Sequence, residues 1–417
     1  MIAKPPGVED IFPDRIDRWN HIITTAKTVF DLYNYREIVI PVMEFTEVFS
    51  RGLGDETDIV SKEMFTFEDR GKRSLTLRPE GTASVVRAYV ENGEYNRLSS
   101  CKFCYSGPMF RAERPQKGRL RQFNQFGAEF FGSGDPYYDF EVIAIMDTIA
   151  KKLGISGYAL LVNSIGCPEC RKTFIADLTA YYQGKKEQLC DDCKRRLTKN
   201  PLRLLDCKNA GCIALKAGAP VITSYLCGGC AEHFTSVKRH LDTHDIAYTS
   251  DPLLVRGLDY YTRTTFEFVT ETDSGQNAFA AGGRYDNLVS VFGGKETPAV
   301  GFAAGIERIF LLTETNDIQQ RTLDTFIIYS GDAARTEALK TAALLRSQGI
   351  SSELDPESRG FKAQFKKADR EKADTVIIFG DDEIAGGLAT VKDMKTGEQK
   401  SIAITELIGY LKESKLR

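Results

Sequence analysis

From about residue 101 to 131, apolar residues alternate with polar ones on both sides of the run Arg114 to Arg121, which reads as two β-strands joined by a long polar loop. Alternation with a period of two gives each strand one buried face, so the chain must build a sheet here and carry a charged loop at its end. From Arg111 to Arg121 five cationic side chains occupy eleven positions. Arginine forks hold phosphate oxygens in a fixed geometry, so the loop is a candidate polyphosphate clamp; a solvated charged hairpin is the even alternative. In the returning strand the same period puts Gln125, Gly127 and Glu129 on one face and Phe126, Ala128 and Phe130 on the other. The apolar face is core. The opposite face sets an amide and a carboxylate around a glycine, which predicts room for a small ligand, and a buried Glu129 needs a cation or N–H donor as partner.

Further clusters follow. Leu75 to Thr82 is an apolar strand ending in a polar turn with Glu80 and Thr82, and Thr82 is a natural start for a helix over Ala83 to Val86. Leu254 to Tyr261 and Ala281 to Asp286 set glycines beside Arg256, Tyr261, Arg284 and Tyr285, a pattern of close backbone approach to a ligand or of ordinary turns. Ala299 to Ile309 reads as a small-residue strand running into a helix, with Phe302, Ile306 and Ile309 toward the core and Arg308 on another side, within reach of a phosphate.

Along the chain, apolar spacing predicts a helix over 14 to 34, a strand at Glu37 to Pro41 and a helix near 137 to 152. The stretch from about 165 to 250 changes character. It holds eight of the ten cysteines and three of the four histidines, and is read as an inserted subdomain. The polar run Thr313 to Thr322 reads as a linker, followed by strands at 326 to 329, 351 to 354, 375 to 379 and 388 to 394 and helices at 334 to 348, 361 to 372 and 406 to 413. That alternation predicts a small α/β sheet domain. The division is then 1–165 and 251–318 for a split core, 166–250 for the insertion and 323–417 for the terminal domain, within the two or three domains that 417 residues suggest.

Fifty-five Lys and Arg against 58 Asp and Glu give a formal charge of -3, which excludes binding of nucleic acid by global positive charge and leaves a local basic groove open. No run of about 18 uncharged apolar residues appears, and the first seven residues do not form a signal peptide, so no membrane span and a cytoplasmic location with reduced thiols are expected. Ten cysteines in a reduced compartment suggest metal or plain burial. Cys167, Cys170, Cys190 and Cys193 are spaced C-x₂-C-x₁₉-C-x₂-C, as in a structural tetrathiolate zinc site. Cys207, Cys212, Cys227 and Cys230 offer a second set, with His233, His240 and His244 as competing ligands.

Taken in order, these segments resemble the class II aminoacyl-tRNA synthetases, and within them the histidyl-tRNA synthetases, over nearly the whole chain. The strand ending at Pro41 with Glu44 after it is similar to the family's first motif, which builds a dimer interface; Arg111 and Glu113 with the loop to Arg121 to the second; Gly305, Glu307 and Arg308 to the third. Arg256 to Tyr261 and Ala281 to Asp286 resemble two segments peculiar to the histidine enzymes. The resemblance implies an α+β fold, with an antiparallel-sheet catalytic core, a helical insertion and a C-terminal α/β anticodon-binding domain. It implies a homodimer that ligates L-histidine to its tRNA through a histidyl adenylate, using ATP and Mg²⁺ and releasing AMP and diphosphate. By the same resemblance Arg111 binds the α-phosphate, Glu113 and Arg119 the nucleotide, and Arg308 the γ-phosphate. Glu80, Thr82 and Gln125 bind the histidine ammonium, Glu129 and Tyr261 the imidazole, Tyr285 walls the pocket, and Arg256 bridges the histidine carboxylate and the α-phosphate. A synthetase-like regulatory paralogue that binds histidine is the competing expectation; such paralogues lack the terminal domain and lose active-site residues, whereas Arg111, Glu113, Arg256 and Arg308 all stand here.

Overall fold

The computed structural model describes residues 2–54, 57, 59–116, 118–270, 278–313, 322–357 and 359–415, with residues 414 and 415 by backbone alone. Lys117 and most of the predicted linker lie outside the described residues. The chain forms two compact units, Met1–Ile318 and Gln319–Arg417.

The first unit is built on an eight-stranded sheet, in spatial order Arg36–Glu37, Cys101–Phe110, Gln122–Phe131, Ala299–Gly305, Ala278–Arg284, Thr262–Thr270, Tyr158–Ser164 and Thr249–Ser250. Every pairing is antiparallel except the two at the edges. The alternation read from the sequence holds. Phe126, Ala128 and Phe130 enter one hydrophobic core with Phe302, Ile306 and Ile309, covered by the helices Pro13–Leu32, Pro136–Lys152, Gly228–Thr243 and Ile306–Leu312. Full burial of each phenylalanine is worth roughly 1.5–3 kcal/mol. Cys101 and Cys104, on the strand Cys101–Phe110, are buried core residues. The opposite face of the strand Ala299–Gly305 presents only Ala299, Gly301, Ala303 and Gly305, so nothing bulky rises from this strand.

The first helix ends earlier than its periodicity predicted because Asn34 takes a left-handed backbone, φ 62°. The strand expected at Glu37 to Pro41 is reduced to Arg36–Glu37. Its continuation is diverted. The buried Arg78 guanidinium donates to the Ile40 carbonyl at 2.6 Å and the Pro41 carbonyl at 3.3 Å, and its Nε to Pro108 at 2.8 Å, so these oxygens serve a side chain instead of a ladder. The chain then enters a small sheet of Met43–Phe45, Ser74–Leu77 and Phe65–Glu68.

The insertion is a chain of short helices, of which Pro168–Gln183, Asp191–Lys199 and Gly228–Thr243 each start just after a cysteine: Cys167, Cys190 and Cys227. Here the predicted ligand sets are overturned. Cys167 and Cys170 meet Cys227 and Cys230, while Cys190 and Cys193 meet Cys207 and Cys212. The 16-residue helix after Cys167 is about 24 Å long. It carries Cys190 away from Cys170 and defeats a pairing drawn from linear spacing. The histidines are not competitors either: His233 bonds to Asp139, and His240 and His244 pack on Phe140.

In the second unit a five-stranded sheet runs Ser352–Leu354, Leu323–Tyr329, Ala373–Phe379, Leu388–Asp393 and Gln399–Ala403, the first three parallel and the last two antiparallel. Helices Asp332–Ser347, Phe361–Arg370 and Leu407–Lys415 match the reading. The edge strand Gln399–Ala403 and the helix Asp381–Gly386 were not foreseen, because neither has a buried residue to set a period. No described helix is long and apolar enough to cross a membrane.

Candidate active site

A cavity of about 530 Å³ opens above the flat face of the first sheet, a size suited to a nucleotide or a similar small molecule. Nine of the eleven side chains singled out from the sequence line it: Glu80, Thr82, Arg111, Glu113, Arg119, Gln125, Arg256, Tyr261 and Arg308. Glu129 and Tyr285 lie behind its wall, fully buried or nearly so.

One end is cationic. Arg111 stacks on Phe123, 5.1 Å to the ring centre, and its Nε donates to the Pro79 carbonyl at 3.0 Å, which fixes the guanidinium at the root of the loop. Arg119 pairs with Glu113 at 2.9 Å across the loop. From the third-motif helix, Arg308 reaches back to the carbonyls of Gly118 and Ala278. Burial, then the neighbouring Arg119 and Arg111 charges, pull the Arg308 pKa below its ordinary value. Three guanidiniums gathered in this way gain by meeting an anion with several oxygens. Glu307 is fixed by the Asn124 backbone N–H at 2.9 Å and side-chain amide at 3.0 Å, and burial raises its pKa.

The other end is compact and polar. Glu80 accepts from the N–H groups of Thr82 at 2.8 Å and Ala83 at 2.7 Å, so the carboxylate caps the helix Thr82–Glu91 and frees the Thr82 hydroxyl to donate to Glu129 at 2.7 Å. Glu129 also accepts from Tyr285 and, at 3.4 Å, from Tyr105. Burial nevertheless pushes its carboxyl up to about 8. The open space expected over Gly127 does not exist. A Cβ at Gly127 would come within 2.6 Å of the Tyr105 ring and hydroxyl, and one at Gly81 within 2.3 Å of the same ring. Tyr105, opposite Gly127 in the strand pairing, fills the slot between the two glycines and steadies Glu129.

Arg256 pairs with Glu267, and its guanidinium lies 5.9 Å from the Tyr261 ring centre. Two buried atoms on the cavity wall have no hydrogen-bond partner among the described residues: Gln125 Oε1, an acceptor, and Arg256 Nε, a donor. Buried polar atoms are nearly always satisfied, so such a pair marks where a ligand's own donor and acceptor belong.

Arg284 stays out of the cavity. It is fully buried and bonds to Asp139 at 3.0 Å, to Asp286 at 3.1 Å and to the Ser133 carbonyl at 3.1 Å, with His233 against the same Asp139 at 3.1 Å. The network ties the strand Ala278–Arg284 to the helices Pro136–Lys152 and Gly228–Thr243. Sequence reasoning missed Tyr105, Glu267, Asp206 and Lys208, of which the last three line the cavity. Glu267 had a legible signal as the one charge in Phe266-Glu267-Phe268; the other three had none.

A family model for histidyl-tRNA synthetase matches residues 7–309 and one for the anticodon binding domain residues 324–414. The chain is 48% identical to the histidine–tRNA ligase of Halothermothrix orenii over 410 residues, 98% of each chain, and 45% identical to that of Geobacter metallireducens over 414 residues, 99% of this chain and 100% of the other. Among solved structures it matches the apo histidyl-tRNA synthetase of S. aureus with a TM-score of 0.84 at 37% identity, covering 99% and 100%. An ATP phosphoribosyltransferase regulatory subunit/histidyl-tRNA synthetase from Bacillus halodurans shares the fold at 22% identity, TM-score 0.67, over 91% of this chain and 98% of that one.

Proposed function

This chain belongs to the histidyl-tRNA synthetases and joins histidine to its tRNA in translation, and on that premise we propose that the cavity forms a histidyl adenylate with the residue roles set out below. The observation that carries the reading is the orphaned pair, Gln125 Oε1 and Arg256 Nε, in one cavity with three guanidiniums. An amino acid bears an ammonium donor and a carboxylate acceptor, and ATP the phosphate oxygens.

Glu80, Thr82 and Gln125 take the ammonium group. Glu129 and Tyr261 take the imidazole, which offers one donor and one acceptor, with Tyr285 behind them. Arg111 binds the α-phosphate, Glu113 and Arg119 the nucleotide, Arg308 the γ-phosphate, and Arg256 spans the carboxylate and the α-phosphate. The substrate carboxylate is ionised at neutral pH and needs no general base. Its oxygen attacks the α-phosphorus, the bond to diphosphate breaks, and a tRNA ribose hydroxyl then displaces AMP from the acyl carbon. Alignment and charge neutralisation by Arg111 and Arg256 supply the rate. Glu113 and Glu307 line the cavity and are oxygen donors of the kind Mg²⁺ takes beside substrate phosphates; they would hold the ion, which would neutralise phosphate charge. The test is histidine-dependent exchange of pyrophosphate into ATP. Pure protein with Mg²⁺ should support it, and no exchange would overturn the reading.

Glu129→Gln separates binding from stability. We expect the histidine KM to rise about 10- to 150-fold, the loss of a hydrogen bond to an ionisable group, with the ATP KM unchanged. The folded pKa of about 8 lies above that of the unfolded chain, so the proton Glu129 retains stabilises the folded state below about pH 4 and progressively less as pH rises through 8. Thermal melts across that range should lose this slope in the variant. An unchanged histidine KM would remove Glu129 from the site.

The second unit supports anticodon binding, and the Lys- and Arg-bearing insertion supports contact with the acceptor arm. A homodimer is supported by apolar side chains left exposed around the first motif: Val39 at 90%, Met43 at 52%, Phe45 at 46% and Phe67 at 41%. Phe45 and Phe67 flank Leu75 across the small sheet, on one face of it. Light scattering should find a dimer for the native chain and a monomer for Val39→Asp; a native monomer would end the proposal. A substrate tRNA used in translation supports a cytoplasmic location.

A further inference from the structure

We propose that the insertion holds two zinc ions in interleaved four-thiolate sites, one on Cys167, Cys170, Cys227 and Cys230 and one on Cys190, Cys193, Cys207 and Cys212. In each quartet the sulfurs all lie within 4.8 Å of one another, with 3.5 Å between Cys167 and Cys170 and 3.8 Å between Cys190 and Cys207. Four sulfurs at about 2.3 Å from a tetrahedral Zn²⁺ sit about 3.8 Å apart, so the thiols stand where such an ion would put them. All eight are free cysteines, and five of the eight are buried. Disulfides would draw sulfurs together in twos, whereas these converge in fours. A four-iron cluster would need them further apart, each on its own iron.

Backbone N–H groups already point at the sulfurs. Cys227 donates to Cys170 Sγ at 3.1 Å and Cys190 to Cys212 Sγ at 3.3 Å, the kind of outer support that orients metal ligands. Cys167, Cys190 and Cys227 each cap the start of a helix, whose dipole favours a thiolate.

The second quartet also neighbours the active-site cavity. Cys207 lies between Asp206 and Lys208, which both line it, and Arg203 donates to the Arg256 carbonyl at 3.2 Å. The ion on this quartet therefore fixes the 200–208 wall beside Arg256. This coupling rests on the active-site reading; the ions themselves do not.

The full chain, purified under reducing conditions from zinc-supplemented cells and dialysed, should retain two zinc per chain by elemental analysis, and X-ray absorption should find four sulfurs around each at about 2.3 Å. Less than about one zinc per chain, or nitrogen and oxygen in the shell, would overturn the sites. Cys190→Ser with Cys207→Ser should leave one zinc, and so should Cys167→Ser with Cys227→Ser. Under consecutive pairing each double variant would injure both sites, so zero zinc in both, with helical circular dichroism retained, would overturn the interleaving. Amide hydrogen exchange over residues 200–208 should accelerate at least tenfold in the first double variant and stay unchanged in the second. Equal protection in both would overturn the coupling while leaving pyrophosphate exchange free to test the enzyme reading.

Discussion

Replacing Arg256 with alanine is expected to lower histidine-dependent pyrophosphate exchange by at least about 10³-fold, the upper range for one donor aimed at developing charge. Two anionic groups, a carboxylate and a phosphate, must approach each other in the first step, and Arg256 is the cation whose Nε stands unpartnered in the cavity. The variant does more than delete a donor. Glu267, now paired with Arg256, would face the incoming anions with its charge uncompensated. Adding Glu267→Gln to the alanine variant should therefore recover about tenfold, since repulsion between like charges at such range is worth 1–2 kcal/mol at a partly screened site. Arg256→Lys should fall between, keeping the charge and losing the fork. Exchange above a tenth of the native rate in Arg256→Ala would sink the assignment.

The second large effect is on stability. Arg284→Met should destabilise the first unit by about 3–5 kcal/mol in chemical denaturation, because it leaves the fully buried Asp139 carboxylate without its main counter-charge. Burial alone would raise the Asp139 pKa; the Arg284 charge and hydrogen bonds from His233 and Arg284 outweigh it and hold the carboxyl well below the usual range. Its contribution is thus present above the unfolded carboxyl value near 4 and is lost as the pH falls through the depressed folded one. Asp139→Asn should flatten that acid limb. The double variant Arg284→Met with Asp139→Leu should cost less than Arg284→Met alone, as the stranded charge is gone. Additive losses would mean that the pair is not coupled.

Much of this was legible in the sequence for a physical reason. Period-two alternation in Gln122–Phe131 puts Phe126, Ala128 and Phe130 on one apolar face, so Gln125 and Glu129 were assigned to the other side without coordinates. The five cations from Arg111 to Arg121 are dense enough in sequence to suggest a phosphate site, which Arg308 joins from a distant segment. What failed was whatever depends on a third dimension. The space over Gly127 was read as open because nothing in a strand says which residue of the next strand will fill it. Cysteine pairing was read from spacing, yet the helix Pro168–Gln183 sets the distance between pairs. The strand at Glu37 to Pro41 was cut short by Arg78, a residue 37 positions from Pro41.

The slot that holds Tyr105 has a consequence for how such a chain can drift over generations. Gly81, Gly127 and Tyr105 share one volume, and neither glycine can acquire even a methyl group while the ring remains. Nor can the ring shrink without leaving a void beneath Glu129. Gly127 is held twice over, since its Cβ would also come within 2.6 Å of the Phe302 carbonyl, whereas Gly81 and Tyr105 are inherited as a pair: a lineage that changes Gly81 must change the ring almost at once, and alignments of relatives should show Gly127 constant and the other two varying together or not at all.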